Sequence, residues 1–69
     1  MKNRLYAIKH KPTNTWVYFK QNMICLCLKI DCTTSSDYEY LENLLLSGSF
    51  NGIPNYGADN FLEFDIKAI

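Results

Sequence analysis

A chain of 69 residues with seven basic and seven acidic side chains has a formal net charge of zero and room for one domain. That balance argues against a nucleic-acid binder that uses its whole surface, and against a whole-protein nucleic-acid mimic. A domain of this size buries only about 60% of the surface its unfolded chain exposes, so its stability is marginal and dimerisation would add to it.

The first two apolar runs, Leu5 to His10 and Trp16 to Phe19, are rich in aromatic and branched residues and read as strands. Lys11-Pro12-Thr13-Asn14-Thr15 between them has the residues of a hairpin loop. Tyr6 and Ile8 are expected to face the core with Val17 and Phe19, which puts Leu5, Ala7, Trp16 and Tyr18 on the opposite face. A slip of one residue would exchange the two sets.

Lys20-Gln21-Asn22 is a tight reversal into the most apolar stretch, Met23 to Ile30, which is expected to be the central strand. Ile24, Leu26, Leu28 and Ile30 form its core face, and Met23, Cys25, Cys27 and Lys29 the other. That second face is less polar than the solvated side of an ordinary antiparallel sheet, so it is covered by a loop or open to a partner.

Cys32 to Ser36 is a loop leading into a helix from about Asp37 to Leu46. Ser36 with Glu39 three residues on fits a capping box, and Asp37 suits the positive end of the helix dipole. Tyr38, Leu41, Leu45 and, less centrally, Leu44 are its buried stripe; Glu39, Tyr40 and Asn43 point outward. Gly48 is the expected left-handed stop.

Residues 47–60 read as a long loop anchored by Phe50, Ile53 and Tyr56, with glycines at turns rather than in a phosphate-binding spacing. In the final segment Leu62, Phe64 and Ile66 alternate with Glu63, Asp65 and Lys67, the pattern of a half-buried strand near a sheet edge. The sum is a single α+β domain over residues 1–69: a mostly antiparallel four-stranded sheet, β-β-β-α-β, with one helix packed on one face. Strand order 1-2-3-4 is preferred, with 4-1-2-3 as the alternative, because burial of an apolar strand outweighs exposed charge pairs.

The charge is strongly divided along the chain. Before Asp31 there are six basic residues and no acid, and from Asp31 onward seven acids and one lysine, so the halves carry +6 and 1 − 7 = −6. Basic and acidic elements could neutralise each other in the fold, or form an electropositive hairpin and an electronegative helix that each steer a partner.

Chemistry is sparse. The chain has one histidine, His10, with no acid near it in sequence; the best enzyme-like set is His10, Asp31 and Cys32, and no catalytic role is assigned. Cys25, Cys27 and Cys32 are expected to be free thiols in a reducing compartment, with Cys32 the only plausible reactive one. Their spacing with a single histidine does not suit a zinc site, and no metal or cofactor is expected. No apolar run approaches the roughly 20 residues that span a bilayer, so no membrane contact is expected and the location is read as cytoplasmic.

In its short length, its opening MKNRLYAIKHKPTNTWVYF and its usage of Asn, Lys, Ile and Tyr, the chain resembles, as a class, small proteins of phages and mobile elements, including anti-defence inhibitors such as anti-CRISPR proteins. The resemblance implies stoichiometric binding to a host or defence protein in the host cytoplasm, and carries over no site residue. The expected partner surface is Trp16 and Tyr18 on the second sheet face, or Asp37, Glu39, Tyr40 and Glu42 on the helix. One alternative is a small nucleic-acid-binding accessory protein using Lys9, Lys11, Trp16 and Tyr18. Another is a structural homodimer that pairs through the second sheet face.

Overall fold

The computed structural model describes residues 4–69; Lys2, counted in the basic half, lies outside them. Among the described residues, five strands and two helices follow in the order β1 (Tyr6–His10), β2 (Thr15–Lys20), β3 (Met23–Cys27), β4 (Thr34–Ser35), α1 (Tyr38–Ser47), α2 (Tyr56–Asp59) and β5 (Phe64–Ala68). The fold is the expected α+β arrangement, an antiparallel sheet with one main helix.

The centre of the sheet is β1, not the Met23–Ile30 run. One edge of β1 pairs along its whole length with β5, from Tyr6 opposite Ala68 to His10 opposite Phe64. The other edge is shared: Lys9 and His10 pair with Trp16 and Thr15 of β2, whereas Tyr6 and Ala7 pair with Ser35 and Thr34 of β4. The β1–β2 hairpin therefore splays, and the chain before α1 fills the wedge. Thr33 secures it there, donating its N–H to the Val17 carbonyl at 3.1 Å and accepting from the Phe19 N–H through Oγ1 at 2.9 Å. On the far side of β2, β3 forms the sheet edge, with Trp16 opposite Cys27 and Lys20 opposite Met23.

The preferred strand order is thus overturned in favour of the alternative, with the last strand beside the first. The physical reason lies in two-sided burial. Ala7 and Ile8, on opposite faces of β1, are both buried, the signature of an interior strand. Leu28 and Ile30, by contrast, are 71% and 88% exposed, because the chain leaves the sheet after Cys27 and makes a 3-10 turn at Lys29–Asp31. Mean apolarity made Met23–Ile30 look central, but Leu28 and Ile30 lie beyond the strand and stay in solvent.

The core lies between the sheet and α1, where Ile8, Val17 and Ile24 meet Leu41, Leu45 and Phe64. Tyr6, Phe19 and Leu26 pack around it on the expected sheet face. The helix starts one residue later than the capping box suggests. Asp37 is the N-cap, its carboxylate accepting from the Tyr40 N–H at 3.2 Å, while Ser35 Oγ accepts from the Asp37 N–H. Tyr38, expected in the buried stripe, is instead 43% exposed at the start of the helix and sets its ring edge-on to Tyr6, with centroids 5.5 Å apart.

Residues 47–60 are not a structureless loop. Ser49 bridges to the start of β3, its carbonyl accepting from the Ile24 N–H at 2.7 Å, and Phe50 pairs with Ile53 around a tight turn at Asn51 and Gly52. Of the three glycines read as turn residues, only Gly52 has a positive φ, 79°. Gly48 is extended rather than left-handed, and a Cβ there would meet the Ile24 side chain at 2.8 Å. At Gly57 a Cβ would collide outright with the Leu45 carbonyl oxygen, so bare backbone is what lets α2 rest on α1.

Gly57→Ala should therefore lose about 3 kcal/mol or more by forcing the two helices apart, an overpacking cost at the top of the usual range. Gly52→Ala, which meets no atom within 4 Å and strains only φ, should lose roughly 1 kcal/mol. Urea unfolding of the two variants measures the difference, and equal losses would contradict this account of how α1 and α2 pack.

Candidate functional site

Both helices and the segment after α1 lie with the core, on one face of the sheet. Residues paired across antiparallel strands point the same way, so the register identifies the residues of the other face. Asp65, Lys9, Trp16 and Cys27 form one row across it, and Lys67, Ala7 and Thr34 another. Tyr18 with Cys25, and Lys20 with Met23, complete it towards the β3 edge. Residues 28–32, with the 3-10 turn Lys29–Asp31, lead from the β3 edge to Thr33 in the β1–β2 wedge and so cross β2 on this face, which brings Lys29 onto Trp16 and Asp31 and Cys32 close to Cys27; neither α1 nor α2 covers it. The 47–60 segment, which could have crossed it, is instead drawn to the opposite side by Phe50 and Tyr56.

The part of this face that stays exposed is aromatic and cationic. Tyr18 and Met23 are 41% and 46% exposed, and Trp16, Cys25 and Cys27 are half-buried. The ammonium groups of Lys9 and Lys29 stand 5.6 Å and 5.4 Å from the centre of the Trp16 ring, where the negative face of the indole attracts them. Lys20 and Lys67 extend the positive charge to two further sides, and Asp65 beside Lys9 and Asp31 near Cys27 offset part of it. Of the residues expected for a nucleic-acid surface, Lys9, Trp16 and Tyr18 come together here, whereas Lys11 sits in the turn between β1 and β2, at the end of the hairpin. Lys20 and Lys67 were not singled out in the sequence, and Lys29 was placed on this face only as part of the Met23–Ile30 strand. Lys20 and Lys67 could have been found from strand alternation, but Lys29 reaches Trp16 only because the chain turns after β3.

The acidic residues of the other expected surface belong to the helical layer. Asp37 is occupied as the N-cap, Glu39 and Tyr40 are exposed, and Glu42 is half-buried. The structure therefore separates Trp16 and Tyr18 from Asp37, Glu39, Tyr40 and Glu42. They make two surfaces rather than one.

His10 is the buried polar residue of the core side, and its partners differ from those proposed from sequence. Glu63 Oε1 lies 3.1 Å from His10 Nε2 and also accepts from the Tyr56 hydroxyl at 2.8 Å. These hydrogen bonds, Tyr56 first and His10 second, hold the Glu63 carboxyl below its ordinary value, and the Tyr56 phenol is raised chiefly by the same bond to Glu63. An ionised Glu63 only accepts, so Nε2 carries a proton. In the neutral ring Nδ1 then accepts from Thr13 Oγ1 at 2.7 Å, and Thr13 accepts from Thr15 Oγ1 at 2.6 Å. The chain ties the β1–β2 turn to the segment entering β5, assisted by the Lys11 N–H bond to the Glu63 carbonyl. A separation of 53 residues hides the His10–Glu63 pair in the sequence.

The cysteines are all unpaired. Burial, reinforced by Cys32, Asp31 and Cys25, pushes the Cys27 thiol up; burial also raises Cys32, against the opposing pull of a backbone hydrogen bond and Lys29. Thiols held protonated in this way are poor nucleophiles, so Cys32 is not the activated thiol that the sequence left open. Among the described residues no three His, Cys, Asp or Glu side chains gather as metal ligands would, and no helix is long and apolar enough to cross a membrane.

Comparison of the chain with protein-family models, curated proteins and solved structures finds no match in any of the three.

The Glu63 network has a pH signature. A carboxyl depressed in the folded state contributes stability that is complete above its ordinary value near 4.5 and is lost as pH falls through the lower, folded value. Wild type should therefore lose stability below about pH 4.5 more steeply than Glu63→Gln, as read from denaturant midpoints between pH 2 and 7. Parallel pH profiles for the two proteins would contradict the assignment.

Proposed function

We propose that the protein is a non-enzymatic binding module that docks an anionic partner, one to one, on the exposed part of the sheet face opposite α1, around Tyr18 and Met23. The observation that carries this reading is the exposure of Tyr18 and Met23 beside Lys20, with Lys9 and Lys29 on the half-buried Trp16, on the sheet face opposite α1. Burial of apolar surface is the main force that holds so small a domain together, and leaving exposed rings on one side forgoes part of it. A partner that covers them recovers that burial on binding. The lysines around the rings favour negative charge at the rim of such a partner and speed its approach. The resemblance to small phage and mobile-element proteins supports stoichiometric binding as the mode of action.

A second reading places the contact on α1, where Glu39 and Tyr40 are exposed and the last turn of the helix holds no basic residue to balance the acids. That surface suits a basic groove on a host or defence protein, which an inhibitor would block by occupying it. The two readings make opposite predictions for two sets of variants. Tagged protein should retain a partner from a lysate of its native cells at one to one, and Tyr18→Ala or Trp16→Ala should weaken retention about tenfold or more. Glu39→Lys/Glu42→Lys should leave it unchanged. Loss with the helix variant and not with the sheet variants would transfer the function to α1.

A further inference from the structure

We infer that the outer edge of β5 is a self-association site, on which a second copy of this chain lays its own β5 antiparallel, with Ile66 opposite Ile66 at the two-fold axis. This goes beyond the binding reading above and does not depend on it.

The hydrogen bonds of the last strand define the edge. At its two ends the Lys11 N–H donates to the Glu63 carbonyl at 2.9 Å and the Ile69 N–H to the Leu5 carbonyl at 2.8 Å; between them Lys9 pairs with Asp65 and Ala7 with Lys67. Bonded pairs alternate along an antiparallel ladder, so β1 takes the odd-numbered residues and the even-numbered ones turn their N–H and C=O groups away from it. The Phe64 N–H is used by the Phe61 carbonyl in the turn that enters the strand. The Phe64 carbonyl and both backbone groups of Ile66 and Ala68 have no backbone partner among the described residues. Asp65, Lys67 and Ala68 are exposed along the same edge. Such a row of unpaired backbone groups is a template for one more strand. The opposite edge of the sheet offers less: the Ser49 carbonyl takes the Ile24 N–H of β3, and the chain leaves the sheet after Cys27.

Charge complementarity names the occupant. Outward-bonding residues pair only with outward-bonding residues, so a second β5 can be centred on Asp65, on Ile66 or on Lys67. The first register sets two carboxylates directly opposite each other and the last sets two ammonium groups opposite, both destabilising. The register centred on Ile66 instead places Asp65 of each copy opposite Lys67 of the other. It also sets Phe64 opposite Ala68 and Ile66 opposite itself on the core side, where Ile66 is half-buried. An interface between identical surfaces requires each residue to meet its complement on the copy, and Phe64-Asp65-Ile66-Lys67-Ala68 does so about its midpoint. Neither charge is committed within its own chain: among the described residues the one ion pair within 4.0 Å is His10 with Glu63, and Lys9, opposite Asp65, holds its ammonium over Trp16.

The two Ile66 residues exchange both of their hydrogen bonds in this arrangement, and Ala68 of each copy donates to the Phe64 carbonyl of the other. Ile69, just past the strand, comes beside Leu62 of the second copy; in the single chain they are 48% and 85% exposed. Charges on an edge strand ordinarily deter pairing, and here they deter the wrong registers. Pairing consumes both β5 edges and leaves only the interrupted β3 edges outside, so assembly stops at two. A contact confined to strand edges falls short of the roughly 1,000 Å² of a stable interface, which makes the dimer a weak one, with Kd of about 10⁻⁴ M.

The test is sedimentation equilibrium of the full-length protein between about 10 µM and 1 mM, with amide hydrogen exchange followed at both ends of that range. The mass should pass from monomer to dimer. Over the same range the Ile66 and Ala68 amides should slow about fivefold, because with this Kd about a fifth of the chains remain single at the upper concentration. The Asp65 and Lys67 amides, bonded to β1, should not change. Asp65→Lys and Lys67→Asp should each weaken self-association about tenfold, and the double variant that exchanges the two charges should restore it. Ala68→Pro, which removes a donor that β1 does not use, should also weaken it. These positions lie outside the core cluster, and circular dichroism checks that each variant is folded.

A monomer mass throughout would overturn the inference. So would a dimer whose Ile66 and Ala68 amides exchange as fast as in dilute protein, or undiminished association by both single charge variants. Protection of those two amides by another protein, with the chain itself monomeric, would give the edge to a foreign strand and overturn the second-copy assignment.

Discussion

The protein has one helix long enough to cover a sheet, and a sheet has two faces. That shortage of covering material governs the rest of the structure. α1 places Leu41 and Leu45 over Ile8, Val17 and Ile24, and α2 packs against α1 rather than crossing the sheet, an approach that requires Gly57. Phe50, Tyr56 and Phe64 gather around His10 on the same side. Every large element after β3 is thus committed to one face. The other face keeps the side chains that strand alternation places there, in β2 Trp16, Tyr18 and Lys20, and is crossed only by residues 28–32, whose Lys29 rests on Trp16.

The same commitment explains how a buried histidine is tolerated. His10 enters the aromatic cluster because β1 runs through the middle of the sheet, and a polar ring there needs a partner for each nitrogen. Thr13 from the adjoining turn supplies one, and Glu63, at the entry to β5, supplies the other. Among the described residues no buried side-chain nitrogen or oxygen is left without a partner. The network closes the end of the sheet where β1, β2 and β5 meet, and it satisfies a local polar requirement without any need for a reacting group.

Much of this was legible in the sequence, because local patterns carry it. Alternation placed Tyr6, Ile8, Val17 and Phe19 on the core face and Trp16 and Tyr18 opposite, and helical periodicity picked out Leu41 and Leu45. What failed were inferences that depend on competition between distant segments. Met23–Ile30 has the composition of an interior strand, but interior position is decided by which strand finds neighbours on both edges. β1 gained them from β5, at the other end of the sequence, and from the short β4, whose Thr34 and Ser35 have no strand-like pattern. Gly48 and Gly57 failed for a related reason. A close approach between backbone and a neighbouring element leaves no trace in the local sequence, whereas the positive φ of Gly52 belongs to a turn that Asn51-Gly52 announces.

The central claim is that Tyr18 and Met23, on the sheet face opposite α1, stay open to solvent in the free protein, and accessibility measured in solution tests it most directly. A soluble paramagnetic agent added to the isolated protein should broaden the ring signals of Tyr18 and the methyl signal of Met23 strongly, and those of Trp16 to a lesser degree. Ile8, Val17, Leu41 and Leu45 should be spared. Protection of Tyr18 and Met23 to the level of those core residues would mean that the face is covered, by this chain or by a second copy of it, and would contradict the account.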